Sequence, residues 1–148
     1  MLDPSLVQAA IDQIRKRASN YQYFFSRLQS PEWIRPLLDA GFFSAPLKPI
    51  RDDGMISFPF WPESVYLARM ATIPEAQDLV LEAALRIPET ENVRVHEDLV
   101  TIATSLPAAM AVRFVAKAVL WAQSPYQLLL PDKLGKLIAH LAQGGEVG

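Results

Sequence analysis

Apolar residues recur at helical spacing through most of this 148-residue chain. Intervals of three and four residues place them on one face of a helix, so the pattern predicts a succession of amphipathic helices. A proline followed by an acidic residue opens several of these segments, and both residue types favour the first turn of a helix. The joints between segments are short and favour antiparallel packing of consecutive helices. We therefore predict an all-α fold of stacked antiparallel helical hairpins.

Three helix starts are marked by capping residues. Asp3 precedes Pro4, and Ser30 precedes Pro31, so each pair combines an N-cap with a first-turn proline. Asn92 is a third N-cap, because it directly precedes a segment with apolar residues at helical spacing. A helix is expected to begin at each of these positions.

The hydropathy of individual segments predicts how deeply they are buried. Residues 107–122 are apolar almost all round, so this segment is expected to form the most buried helix. Residues 96–98, a His-Glu-Asp trio, are expected on a solvent-exposed helix face. Glu63 is expected to form an ordinary ion pair with Arg69 or Arg35.

An irregular segment interrupts the helical pattern at residues 44–61. Its prolines exclude a helix, and Asp53-Gly54 is a strong turn signal. Residues 48–51 and 55–58 can pair around this turn, which predicts a small β-hairpin inside a long loop.

Most aromatic residues of the chain lie between residues 21 and 66, around this loop. Two interpretations are open. In the first, Phe58, Phe60 and Trp61 form an aromatic core that anchors the loop to the helices. In the second, the same side chains form an exposed recognition surface.

The composition limits the classes to which the protein can belong. Residues 1–143 are expected to form a single helical-repeat domain, followed by a tail or linker at residues 144–148. A net charge of −2 gives no electrostatic reason to expect nucleic acid or an anionic membrane as partner. The absence of cysteine fits a reducing compartment, and no signal peptide or membrane-spanning segment is recognisable. A cytoplasmic location is therefore predicted.

No catalytic constellation is recognisable. His96 and His140 are far apart and lack metal-type spacing to a carboxylate. There is no glycine-rich phosphate loop or nucleophile elbow, and Asp52-Asp53-Gly54 lacks the remaining ligands of a calcium loop. We therefore predict no catalytic residue, no cofactor and no metal ion.

Basic residues at two places have alternative interpretations. Arg113 and Lys117 lie one helical turn apart, so they share a face. They either snorkel from a half-buried helix or pair with acids such as Asp98, or they line the concave face and bind an anion or an acidic partner. Residues 15–17, Arg-Lys-Arg, are either a solvated helix end or a phosphate-binding patch.

The second helices of successive predicted hairpins begin at Pro31, Pro74 and Pro107. Their spacing falls in the range of about 33–47 residues that is typical of helical repeats. Over residues 30–143 the chain thereby resembles the HEAT/armadillo-type solenoid superfamily. The resemblance implies a curved stack of helices whose inner face binds other macromolecules. Residues 30–71 are also similar to a stretch found near helical repeats in large bacterial multidomain proteins.

The leading functional hypothesis is a non-catalytic protein–protein interaction or scaffold module, part of a larger multidomain bacterial protein. The candidate interaction surface consists of Arg113, Lys117, Trp61, Phe60 and Arg51. The alternative is a nucleic-acid-binding or base-processing helical-repeat protein, which would need its basic residues to converge on one surface; the net charge argues against it. A small-molecule enzyme at the aromatic loop is a third, less favoured class.

The C-terminal helix is a single helix without a partner in a hairpin. One flank of this helix, and of Leu128-Leu129-Leu130 before it, is therefore expected to remain uncovered. Its polar side, which includes Lys133 and His140, is expected to face water. Exposed apolar surface of this kind favours self-association through the C-terminal helix or packing of a following repeat.

Overall fold

A computed structural model describes residues 2–145, whose regular secondary structure is helical apart from one small antiparallel hairpin. The predicted helical class and the predicted hairpin are both confirmed. The helices are α1 (Pro4–Lys16), α2 (Ala18–Arg27), α3 (Ile34–Asp39), α4 (Pro62–Met70), α5 (Gln77–Arg86), α6 (Val93–Ser105), α7 (Ala108–Ala111), α8 (Val115–Ala122) and α9 (Leu130–Gln143). The strands are β1 (Ile50–Asp52) and β2 (Met55–Ser57). The predicted tail or linker at residues 144–148 lies outside the described residues, except for Gly144 and Gly145.

The predicted helix caps are present. The Asp3 carboxylate accepts a hydrogen bond from the Ser5 N–H at 2.8 Å, and the Asn92 side-chain oxygen accepts one from the Arg94 N–H at 3.1 Å. Ser30 caps the turn that begins at Pro31 in the same way, because its hydroxyl oxygen accepts a hydrogen bond from the Glu32 N–H. These side chains satisfy backbone donors that a helix start leaves without partners.

Short 3₁₀ turns accompany the second helix of each predicted hairpin. Pro31–Trp33 precedes α3, Pro74–Ala76 precedes α5, and Val112–Phe114 separates α7 from α8. The segment predicted as one helix from residue 107 is therefore divided into two helices.

The helices pack in a regular succession. Helix α4 contacts both α2 and α6, and α6 contacts α9; α3 contacts α5. Within the hairpins, α4 contacts α5, and α6 contacts α7 and α8. Each central helix is thus covered by neighbours from the preceding and the following hairpin.

The most buried helix is α6, so the prediction that residues 107–122 would be the most buried is wrong. The buried side chains of α6 include both apolar and polar residues: Val93, Val95, His96, Glu97, Leu99, Val100, Ile102 and Ala103. In α8, Val119 and Leu120 are more than half exposed, and Trp121 is the buried residue. The position of α6 explains this difference, because α6 packs between α4 and α9.

The β-hairpin lies within the irregular segment at residues 44–61. Its register pairs Ile50 with Ser57, Arg51 with Ile56 and Asp52 with Met55. Asp53 and Gly54 form the turn with φ of 48° and 75°. Positive φ at both positions is typical of a type I′ turn, whose twist matches that of the strands it joins.

One buried side chain holds the two ends of this segment together. The Asn92 amide nitrogen donates to the carbonyl oxygens of Leu47 at 2.9 Å and Pro59 at 2.8 Å. Asn92 therefore caps α6 with its oxygen and fixes the base of the hairpin with its nitrogen.

The aromatic residues around the loop mostly pack inward. Trp61 is 0 % exposed, and the ring of Phe58 lies 5.0 Å from that of Tyr126. Of the three residues in the two interpretations, Phe60 is the exposed one, with 63 % of its surface accessible. The anchoring interpretation therefore holds for Phe58 and Trp61, and only Phe60 remains for a recognition surface.

The prediction that the polar side of the C-terminal helix faces water is wrong at two residues. Lys133 donates to the Thr101 hydroxyl at 2.8 Å, and the His140 Nε2 lies 2.6 Å from the Leu106 carbonyl oxygen. The first contact joins α9 to α6, and the second joins α9 to Leu106, the residue that follows α6. Over residues 2–145, no helix has the length and apolar character needed to cross a bilayer.

Candidate interaction surfaces

A carboxyl group is buried where the aromatic loop enters α4. Glu63 is 5 % exposed and accepts a hydrogen bond from the Tyr21 hydroxyl. Burial raises the pKa of Glu63 to about 7, because loss of water disfavours the carboxylate; hydrogen bonds from the side chains of Tyr21 and Trp61 offset part of the rise. Burial and the bond to Glu63 also raise the pKa of the Tyr21 hydroxyl.

The predicted ion pair of Glu63 with Arg69 or Arg35 is therefore wrong. Arg69 donates instead to the Phe25 carbonyl oxygen at 3.0 Å. Arg35 makes two hydrogen bonds of 2.9 Å to the Glu82 carboxylate. Glu63 is a buried group between α2 and α4, with neutral donors as its partners.

The prediction that the His-Glu-Asp trio of α6 lies on the surface is also wrong. Glu97 is buried and accepts a hydrogen bond from the Leu129 N–H at 3.0 Å. Its other carboxylate oxygen lies 3.6 Å from the Arg94 guanidinium. Glu97 thus ties the segment before α9 to α6.

His96 is buried against α8. Its Nε2 lies 2.7 Å from the Thr90 carbonyl oxygen, and its ring stacks on that of Trp121 at 5.4 Å. Burial lowers the pKa of His96, because loss of water disfavours the imidazolium, and the hydrogen bond to Thr90 opposes this. The Nδ1 atom has no hydrogen-bond partner among the described residues.

Asp98 faces α4 and the exterior. Its carboxylate accepts a hydrogen bond from the Ser64 hydroxyl at 2.6 Å. Burial raises the pKa of Asp98 to about 6, although this bond and the charge of Lys133 oppose the rise. Asp98 lines a shallow cleft of about 510 Å³ between α2, α4 and α6, together with Gln22, Phe25, Ser26, Phe60, Pro62, Val65 and Arg69. We call this the α2–α4–α6 cleft.

The polar groups of these sites make their bonds within the chain. They join α2 to α4, α4 to α6, and α6 to α9, so their visible role is to hold neighbouring helices in register. Among residues 2–145, no three His, Cys, Asp or Glu side chains are grouped so that they could hold a metal ion.

The predicted interaction residues do not form one surface. Trp61 is fully buried and is therefore removed from the candidate surface, because it cannot touch a partner. Phe60 is exposed at the α2–α4–α6 cleft, and the Arg94 guanidinium lies 4.7 Å from its ring centre. This contact holds the Phe60 ring in place at the rim of the cleft.

Arg51 and Lys117 both reach the loop between α5 and α6. Arg51 lies 3.7 Å from the Glu91 carboxylate, and Lys117 lies 3.4 Å from that of Glu89. This outcome matches the interpretation in which Lys117 pairs with an acid. Arg113 lies on the 3₁₀ turn before α8 and is exposed.

A second groove, of about 730 Å³, separates the hairpin from the same loop. Lys48 and Arg51 line one wall, and Glu89 and Glu91 line the other. Its walls carry opposite charges, and the Arg51–Glu91 pair joins them.

Several large apolar residues are exposed towards the C-terminal end of the described chain, on α8, α9 and the segment between them. We call this surface the end face; its exposed large residues are Val119, Leu120, Leu128, Leu129 and Ile138. Leu130 and Leu141 are buried, so the predicted uncovered flank is present at Leu128 and Leu129 but not at these two positions.

One residue of the end face, Ile138, lies on the flank of α9 that faces away from α6. On α9, Lys133 and His140 lie on the flank that contacts α6. At 100° per residue, Ile138 lies on the opposite flank, and it is 66 % exposed. Pro131, Gly135 and Ala142 are exposed at helical spacing around it.

No protein-family model, curated protein or solved structure matches the chain.

Proposed function

We propose that this chain is a non-catalytic protein–protein interaction or scaffold module, built as a HEAT-like stack of helical hairpins within a larger cytoplasmic protein. The observation that carries the proposal is the end face. Its residue on α9, Ile138, lies on the flank of that helix that faces away from α6, where a following hairpin of a stack would pack.

The succession of contacts supports this assignment. Helices α2, α4, α6 and α9 contact one another in order, and α3 contacts α5 beside them. Such an arrangement covers each hairpin with the next one, and only the terminal hairpins keep an open side. Ile138 and Val119 are exposed on that side, although large apolar residues favour burial.

Internal pairing of the basic residues is consistent with a protein partner. Arg51 and Lys117 are paired with Glu91 and Glu89, so they do not form a free cationic stripe. We therefore expect no specific nucleic-acid binding, since that binding depends on several unpaired cations acting together on the phosphates.

Light scattering of the isolated chain at increasing concentration tests the proposal. We expect the apparent mass to rise with concentration, because the end face of one copy can cover that of another. Ile138→Lys is expected to remove the part of this rise that comes from the end face, because a charge cannot be buried there without a partner.

Leu6→Lys is the matched control. Leu6 is an exposed apolar residue of α1, far along the chain from the end face, and the same change is made there. The control is expected to associate like the wild type. A wild-type chain that stays monomeric at all concentrations, or an equal effect of the two variants, would contradict a role of the end face in association.

A further inference from the structure

The β-hairpin has two edges, and both are open within the chain. Beyond the pairing of β1 with β2, no backbone hydrogen bond joins residues 46–60 to another described part of the chain. Neither strand packs extensively on a helix. A two-stranded sheet of this kind is marginally stable alone and gains from an additional strand.

The ladder shows which backbone groups point outward. Hydrogen-bonded and non-hydrogen-bonded pairs alternate in an antiparallel ladder, and the pair that closes a two-residue turn is hydrogen-bonded. That pair is Asp52 with Met55, so the next pair, Arg51 with Ile56, directs its N–H and C=O groups away from the partner strand. Arg51 presents them on the β1 edge and Ile56 on the β2 edge.

The two edges differ in the devices that block pairing with other chains. Charged residues and proline are such devices. The β1 edge has Pro49 before it, a charged Arg51 in its centre, and the Arg51–Glu91 ion pair beside it. The β2 edge, Met55-Ile56-Ser57, carries no charge and no proline, and Met55 is 73 % exposed.

We propose that the β2 edge is a pairing surface for a second copy of this chain. A two-fold axis at Ile56 makes the two β2 strands antiparallel and places Met55 opposite Ser57 of the other copy. The N–H and C=O groups of Ile56 then bond those of its counterpart, and a four-stranded sheet forms across the pair.

Repulsion between like charges disfavours pairing at the β1 edge and leaves the β2 edge as the pairing surface. The same two-fold pairing at the β1 edge would place two Arg51 side chains opposite each other, and like charges in that position repel. At β2, the opposed residues are uncharged. The base of the hairpin is held by Asn92, so the strand is presented in a fixed register before pairing.

The strand is short, which sets the strength of the contact. Three residues on each side bury far less than the roughly 800 Å² per partner of a stable interface, so the pairing is weak and depends on protein concentration. This contact is separate from the end face and does not depend on the proposed function.

Amide hydrogen exchange at two protein concentrations tests the inference in the Ile138→Lys background, where association through the end face is removed. The Ile56 amide is expected to exchange several-fold more slowly at high than at low concentration. The Arg51 amide, its counterpart on the other edge, is expected to exchange at the same rate at both. Equal behaviour of the two amides, or no concentration dependence at Ile56, would overturn the proposal.

A matched pair of variants extends the test. Ile56→Pro and Arg51→Pro each remove one outward N–H without removing a hydrogen bond of the hairpin ladder. In sedimentation equilibrium, also in the Ile138→Lys background, Ile56→Pro is expected to abolish the residual association and Arg51→Pro to retain it. The reverse order would also overturn the proposal. The exchange measurement needs no change in the hairpin, so it decides the matter even if a proline disturbs the strand.

Discussion

The burial of helices α6 and α8 is the reverse of what their sequences suggest. Helix α6 carries His96, Glu97 and Asp98, yet it is the most buried helix of the molecule. Helix α8 is almost entirely apolar, yet Val119 and Leu120 are more than half exposed. The difference follows from position, because α6 packs between α4 and α9, whereas one flank of α8 is exposed at Val119 and Leu120.

The comparison shows what hydropathy can and cannot predict in a stacked fold. A polar residue can be buried at low cost where a neighbouring helix supplies its hydrogen-bond partner, as the Leu129 N–H does for Glu97. An apolar residue can remain exposed where no described helix packs on it, as at Val119 and Leu120. Burial therefore depends on the order of the helices as well as on the composition of each one.

The largest effect is expected at the loop that enters the stack. Trp61→Ala should lower the free energy of unfolding by about 3–5 kcal/mol, because truncation of a buried large aromatic residue leaves a cavity. Phe60→Ala, at the adjacent exposed position, should cost within about 1 kcal/mol, the scale of its contact with Arg94. Denaturant melts measure both values, and equal losses would show that Trp61 has no anchoring role.

A direct test of the comparison truncates one apolar residue in each helix. Ile102 of α6 is fully buried, so Ile102→Ala should destabilise the chain by about 2–5 kcal/mol. Leu120→Ala in α8 should change stability by no more than about 0.5 kcal/mol, since exposed positions lose little packing. If the two variants melt alike, the assignment of α6 as central and α8 as terminal fails.

The pH dependence of stability should report the buried carboxyl group of α4. The pKa of Glu63 is about 7 in the folded chain and 4.5 in the reference state. Between these values the folded chain holds a proton that the unfolded chain has lost, so the contribution of Glu63 to stability is greatest below about pH 4.5 and falls as the pH rises to 7. The fall attributable to Glu63 is up to roughly 3 kcal/mol.

Glu63→Gln isolates this contribution, because glutamine keeps an acceptor for Tyr21 but cannot ionise. The difference in unfolding free energy between variant and wild type should grow in favour of the variant from pH 4.5 to 7 and then level off. Asp98 acts in the same direction at lower pH, and His96 in the opposite direction, but both are present in the two proteins and cancel in the difference. A difference that is constant with pH would contradict the buried position of Glu63.

The sequence predicted local structure well and burial less well. Asp3, Ser30 and Asn92 were identifiable as caps, and Asp53-Gly54 as a hairpin turn, because each depends on a few adjacent residues. Glu63 follows Pro62 at the start of a helix, where an acid usually interacts with the helix dipole at the surface. Its burial results from the packing of Tyr21, 42 residues earlier in the chain, which no local pattern reveals.

The interaction residues show the same limit. Trp61 and Phe60 are adjacent aromatic residues, and the sequence offers no sign that one is buried and the other exposed. Arg51 and Lys117 are far apart in the chain, but both pair with the loop between α5 and α6. These relations depend on tertiary contacts, so they had to come from the structure.

The contact of Asn92 with both ends of the hairpin segment has a consequence for how this protein can change. Because Leu47 and Pro59 are fixed by one side chain of α6, the residues between them form a closed loop whose ends stay in place. The entropy cost of closing such a loop grows slowly, by only about 0.6 kcal/mol for each doubling of its length. Insertions at the turn of the hairpin, between Asp52 and Met55, are therefore expected to cost the helices little, and the hairpin can vary in length without a change in the core.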